Sequence, residues 1–268
     1  MTTGGEASAP GPMPVVFVGH GNPMNALNRD SLLARSRRQV GESMPRPRAI
    51  LCISAHWYIR GTKVTAMESP RTIHDFGGFP EELYAIEYPA PGDPHLAAHL
   101  LELLTPTVVE LDYSWGLDHG TWSVLTHMFP AADIPVVQLS IDRDEPASFH
   151  YALAQRLSPL RDDGVLILGS GNLVHNLHAY SWGDHSGTAY PWALDFETKA
   201  RELVEAHEHG PLIAYETLGE AALQSVPTPD HYLPFIYTIA LCRGEEALSY
   251  PVQGFDGGSI SMLTMRIG

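Results

Sequence analysis

Residues 49–57 read AILCISAHW, an unbroken apolar stretch that ends in a histidine and a tryptophan. A run of that kind, rich in Ile and Leu and without polar alternation, reads as a strand buried on both faces, as in a parallel sheet covered by helices. In such sheets the positions just beyond the C-terminal ends of the strands are where sites are built. His56 stands there. The same arrangement recurs at 14–22, PVVFVGHGN, which places His20 after an apolar run. It recurs again at 164–175, GVLILGSGNLVH, where a Gly-Ser-Gly-Asn turn leads into a helix-like turn carrying His175. Two further histidines, His119 in WGLDHGTW and His231 in TPDHYLPF, stand at the openings of helical patterns, with Asp230 placed to cap the second helix.

The rest of the chain alternates the two periodicities. Helices are expected over 31–40, 94–104, 120–129, 146–157, 192–208 and 231–241, and further strands over 63–67, 107–111, 135–141, 249–252 and 259–265. This alternation predicts an α/β fold. The expectation is one domain over residues 14–268, an α/β/α sandwich around a mostly parallel or mixed central sheet, behind a flexible tail at 1–13. Residues 68–93 are dense in Pro, Gly and aromatic side chains without periodicity, and an ordered loop of that length is usually functional.

The chain carries 31 Asp and Glu against 16 Lys and Arg, a formal charge of −15. That balance argues against general binding to nucleic acid or to an anionic membrane surface. No apolar run is long enough to span a bilayer, and the opening MTTGGEASAPGPMP has neither the basic nor the apolar region of a secretion signal. The two cysteines, Cys52 and Cys242, form no CxxC pair and read as reduced thiols. A soluble, cytoplasmic protein is expected.

Most of the 14 histidines have an ordinary structural reading. His95, His99 and His150 lie within helices, His207 and His209 lie near a helix C-terminus, and His185 lies in a polar loop. His127 stands two turns after His119, and His178 is close enough to His175 to share a face if that segment is helical. His20, His56, His119, His175 and His231 differ because they share a context, and convergent imidazoles usually hold a metal. Other chemistries have weaker signals. Ser170 lacks the GxSxG spacing of a nucleophile elbow, and there is no HExxH, Walker loop or GxGxxG after a strand. The residues alone leave three readings open: a redox metalloenzyme, a zinc hydrolase using the same cluster, and a non-catalytic metal-binding protein.

The segments GHGNPM, SAHW, TIHDFGGFP, LDHGTW, GSGNLVHNL and DHYLP, in this order, resemble the class III extradiol ring-cleavage dioxygenases, and among them the single-chain branch named for 4,5-DOPA dioxygenase. The resemblance runs from about residue 14 to the C-terminus. It implies that His20, His56 and His231 ligate a metal, with His175 a possible fourth ligand. It also implies that His175 serves as acid and base with His119 assisting. The implied reaction opens a small catechol with O2 to give a semialdehyde. The protocatechuate-cleaving relatives have a glutamate as third ligand, whereas three imidazoles leave this site one negative charge short of the two-His-one-carboxylate set. Fe(II) is expected for activity, and Zn(II) also suits such a ligand set. Trp57, Phe79 and Tyr232 are candidates to pack against the substrate ring.

Overall fold

The computed structural model describes residues 11–183 and 187–268. Its first half runs β1 (Val15–Gly19), α1 (Leu32–Glu42), β2 (Ala49–Ile59), β3 (Thr62–Thr65), α2 (Glu81–Tyr84), α3 (Pro94–Leu103), β4 (Val109–Asp112) and α4 (His119–Met128). The second half runs β5 (Val136–Asp142), α5 (Ala147–Arg156), α6 (Pro159–Asp162), β6 (Val165–Gly171), α7 (Pro191–Glu205), α8 (His209–Ile213), α9 (Glu220–Ser225) and α10 (Leu233–Ile239). Four short strands close the chain: β7 (Leu248–Val252), β8 (Phe255–Asp256), β9 (Ile260–Ser261) and β10 (Thr264–Ile267).

Eight strands form one sheet in the order β4-β3-β5-β2-β6-β1-β10-β7. The middle four, β5, β2, β6 and β1, are parallel, and antiparallel pairings of β3 with β5 and of β10 with β1 and β7 make the sheet mixed. Because side chains alternate across a strand, each central strand feeds two cores. Val15, Phe17, Leu51, Ile53, Val165 and Ile167 pack with α3, α5, α7 and α10 on one face. Val16, Val18, Ile50, Cys52, Leu166 and Leu168 pack with α1 and α4 on the other. The α/β/α sandwich expected from the alternating patterns is the observed architecture.

Helix starts follow local chemistry. The side chains of Ser31, Asp93 and Asp118 accept the backbone N–H groups of Ala34, Leu96 and Thr121, which caps α1, α3 and α4. Three expectations change. His175 is not on a helical turn: it follows β6 in an isolated bridge to Ile260, which leaves His178 exposed. The last long helix starts at Leu233, and Asp230, turned toward His231, does not cap it. Met13 is buried, with its N–H donating to the Arg161 carbonyl at 2.9 Å, so the ordered chain begins before residue 14. The remainder of the tail, residues 1–10, and His185 lie outside the described residues.

Candidate metal centre

His20 is the first residue beyond β1. The parallel register sets Val18 against Ser170 and Gly19 against Gly171, which brings the ring of His20 to the end of β6. Its Nδ1 lies 3.2 Å from Ser170 Oγ, and that hydroxyl donates its hydrogen to the Gly120 carbonyl at 2.5 Å. With its one hydrogen committed, Ser170 can only accept from His20. Nδ1 therefore carries the proton and Nε2 keeps the lone pair. Behind the ring, the buried Arg37 of α1 donates to the carbonyls of both Gly19 and His20 at 2.9 Å.

His56 does not follow its strand, as expected, but sits inside it. Ile53 of β2 pairs with Leu139 of β5, and the next pair is Tyr58 with Ile141. The surplus residues of β2 form a bulge, a device that re-aims side chains, and His56 lies on it. Its Nε2 is 3.1 Å from His20 Nε2 and its Nδ1 is 3.5 Å from Asp75 Oδ2. His231 reaches the same point from the far end of the chain. Its carbonyl packs where a Gly171 side chain would be, 2.1 Å from the position of a Cβ, so only glycine permits this approach. His231 Nδ1 donates to Asp230 Oδ2 at 2.5 Å, which again leaves Nε2 with the lone pair.

The three rings form a nearly equilateral triangle, with centroid separations of 4.9, 5.1 and 5.2 Å. One donor atom from each lies within 4.8 Å of the others. Two nitrogens bound to one ion at about 2.1 Å and at a right angle stand about 3.0 Å apart, close to the 3.1 Å between His20 and His56. Burial first, and then the neighbouring imidazoles, push both of these histidines well below the usual histidine range. They are neutral, the form that ligates a metal. The donor set fits a divalent transition ion.

Two more imidazoles border the triangle. His119 opens α4, and its ring centroid lies 3.7 Å from that of His56. Asp75 Oδ1 accepts the His119 backbone N–H at 2.8 Å, and Oδ2 lies 3.0 Å from His119 Nδ1, out of line for a hydrogen bond. Burial works to raise the Asp75 carboxyl, but its contacts with His119 prevail and hold it below its usual value. The N-cap, Asp118, is anchored by Ser54 at 2.7 Å and by the Gln138 amide at 2.7 Å, so α4 and the bulge of β2 are tied to one buried carboxylate. His175 lies against His231 with centroids 3.5 Å apart. Burial foremost, then the neighbouring His231 imidazole, pushes it down to about 3.

All five histidines line one cavity of about 270 Å³, with Phe76 and Phe79 on its wall and Leu177, Tyr180 and Trp182 also bordering it. Two aromatic residues expected there are elsewhere. Trp57 neighbours His56 on a strand and so points away from it; it is buried and stacked on Trp115 at 5.7 Å. Tyr232 turns into the core, where its hydroxyl donates to the Leu212 carbonyl at 2.9 Å. Sequence reasoning missed Asp75, Phe76 and Ser170. The density of aromatic and acidic residues in the aperiodic segment 68–93 was the available signal for the first two.

The family described as the catalytic LigB subunit of aromatic ring-opening dioxygenase matches residues 11–232. The chain is 50% identical over 265 residues to 4,5-DOPA dioxygenase extradiol of Escherichia coli K12, covering 96% of this chain and 95% of that protein. It is 34% identical over 250 residues to the Beta vulgaris protein of the same name, covering 91% of this chain and 92% of the other. A crystal structure of an uncharacterized Escherichia coli K12 protein matches with a TM-score of 0.83 at 45% identity, covering 96% of this chain and 100% of that one.

Proposed function

The chain belongs to the family of the catalytic LigB subunit of aromatic ring-opening dioxygenases, and we propose that it holds Fe(II) on His20, His56 and His231 to open a small, DOPA-like catechol. Membership makes it a metal-dependent ring-opening dioxygenase, which consumes an aromatic substrate and O2. The zinc-hydrolase and non-catalytic readings give way to it. The observation that carries the metal assignment is the pair of fixed tautomers: Ser170 and Asp230 each hold an Nδ1–H, which turns Nε2 of His20 and of His231 toward the same point.

Bound Fe(II) would supply positive charge to stabilise a catecholate and the redox capacity to join it to O2. The protein supplies the rest. Three neutral imidazoles cancel none of a divalent ion's charge, and the bulge and Asp75 hold His56 in place. Phe76 and Phe79 give the ring an apolar wall, and with it an orientation for reaction. His175 is neutral and half-buried beside a proposed ligand, so it can take a catechol proton and return it later. His119 lines the same cavity beside Asp75, placed to assist at a substrate hydroxyl.

The test is anaerobic loading with Fe(II), then admission of air with a panel of catechols while O2 and the yellow ring-opened product are followed. Stoichiometric O2 uptake with product formation is expected, and abolition by a chelator. Full iron loading with no O2 consumed on any catechol would reject the assignment.

A further inference from the structure

Arg37 of α1 is 1% exposed, and its charge has no counter-ion among the described residues. Nη2 donates to the Gly19 and His20 carbonyls at 2.9 Å, whereas Nε and Nη1 find no partner among those residues. Burial pulls the guanidinium down to about 10, so it stays charged at neutral pH. The packing that encloses it is built. Gly41 lies one turn further along α1, and the Met128 carbonyl of α4 fills the space its side chain would need. On α4, burial foremost holds His127 below the usual histidine range, against the pull of the Asn25 carbonyl, and Arg37, Arg38 and Arg29 lower it further. An unpaired buried charge strongly destabilises a fold, and this one stands against the backbone of a proposed metal ligand.

The three proposed ligands have unequal electrostatic surroundings. Asp75 Oδ2 lies 3.5 Å from His56 Nδ1, and Asp230 Oδ2 accepts from His231 Nδ1. Carboxylates so placed make an imidazole more basic. Among the described residues, His20 has no such carboxylate: a neutral hydroxyl, Ser170, meets its ring, and a guanidinium meets its backbone. Loss of an electron raises the charge of a bound ion by one, and a fixed positive charge nearby disfavours that change. One hydrogen bond and the length of a histidine set the guanidinium about 10 Å from Nε2, where at an effective dielectric of about 20 one charge shifts an equilibrium on the order of tenfold.

We propose that Arg37 keeps the bound iron as Fe(II) in air, because its uncompensated charge, held against His20, makes loss of an electron to O2 less favourable. The step it disfavours is a one-electron transfer, in which Fe(II) becomes Fe(III) and O2 becomes superoxide. Arg37 touches no substrate; it acts through His20 and across it, as a positioning residue. Three neutral imidazoles work in the same sense, since they bring no negative charge, and Asp75 and Asp230 work against it. The inference rests on the Fe(II) reading above and adds what holds that site in its working state.

The test is a redox titration of the iron-loaded protein without substrate, with the ferric fraction read by electron paramagnetic resonance. Arg37→Gln removes the charge and keeps an N–H donor, while Arg37→Lys keeps the charge. His127→Glu sets a carboxylate near Arg37 and leaves the guanidinium in place, with His127→Gln as its control. At the potential where the wild type is half ferric, Arg37→Gln and His127→Glu should show an Fe(III)-to-Fe(II) ratio about three- to tenfold higher. Arg37→Lys and His127→Gln should stay within about twofold of the wild type. Fe(II) should also be lost faster in air in the two variants that cancel the charge. A ratio unchanged in Arg37→Gln or in His127→Glu, or an equal rise in Arg37→Lys, would overturn the inference. If one of the two variants does not fold, the other decides. Iron content and catechol cleavage of the wild type separate this from the reading it rests on. A wild type that takes up no iron rejects the Fe(II) assignment and this inference with it. One that holds iron and consumes no O2 with any catechol rejects the ring-opening reading alone, and the ferric ratio still decides the role of Arg37.

Discussion

The imidazoles of His175 and His231 are parallel to within 2°, with ring centroids 3.5 Å apart. One ring has its Nδ1 committed to Asp230. Among the described residues the other has no such carboxylate partner, and it is held neutral by burial and by its neighbour. On the proposed reading, two chemically identical side chains in contact have different work: one is fixed for a metal, the other is available for a proton.

We expect His175→Ala to lower kcat by roughly 10²–10⁴-fold, the range for a lost acid/base group, while bound iron changes little. Metal analysis alongside turnover decides it. Loss of iron equal to that in His20→Ala or His231→Ala would make His175 a ligand.

Asp75 touches both His56 and His119. Carboxylates that orient a ligating histidine are typically worth about 10–100-fold in metal affinity, so Asp75→Asn should weaken iron binding by that order and Asp75→Glu by less. Competition with a chelator of known affinity measures it. Unchanged affinity would leave Asp75 no role in setting His56.

Nitrogen ligands favour Zn²⁺ over Fe²⁺ in the Irving–Williams order. Protein purified in air should therefore hold substantial zinc and cleave catechols poorly, because zinc has no accessible redox change. Removing the zinc and adding Fe(II) without oxygen should restore activity. A zinc form as fast as the iron form would contradict the dioxygenase chemistry proposed for this site.

His150 lies far from the metal centre, between the Tyr237 hydroxyl at 3.0 Å and the Asp142 carbonyl at 3.1 Å. Burial foremost lowers it to about 4. In the unfolded chain it takes up its proton near pH 6.5, so the unfolded state binds more protons between those values. Its contribution is present above pH 6.5 and is lost as pH falls toward 4. Between pH 7 and 5 the wild type should lose about 2 kcal/mol more than His150→Gln in urea unfolding. Parallel losses would show that His150 is not the titrating group.

Much of this protein is legible in its sequence because the relevant information is local. The runs at 14–19, 49–54 and 164–168 are apolar without alternation, which only strands covered on both faces require. The histidines that follow them or open the next helix are visible for the same reason. The resemblance of six short motifs supplied the family, and the family the chemistry.

Other features depend on which strands pair and in what register, and no local pattern states that. The bulge that turns His56 inward exists only relative to β5, and it sends Trp57 the other way. The proton on His20 is fixed by Ser170, 150 residues away, because β1 and β6 are neighbours. Asp75 matters because its loop passes the start of α4. The sequence by itself determined the layers of the fold and the residue types of the centre, since both follow from side-chain period and identity. Only the tertiary structure decided which nitrogen, carboxylate and aromatic face meet, since those contacts are made by backbone pairing between segments far apart in the chain.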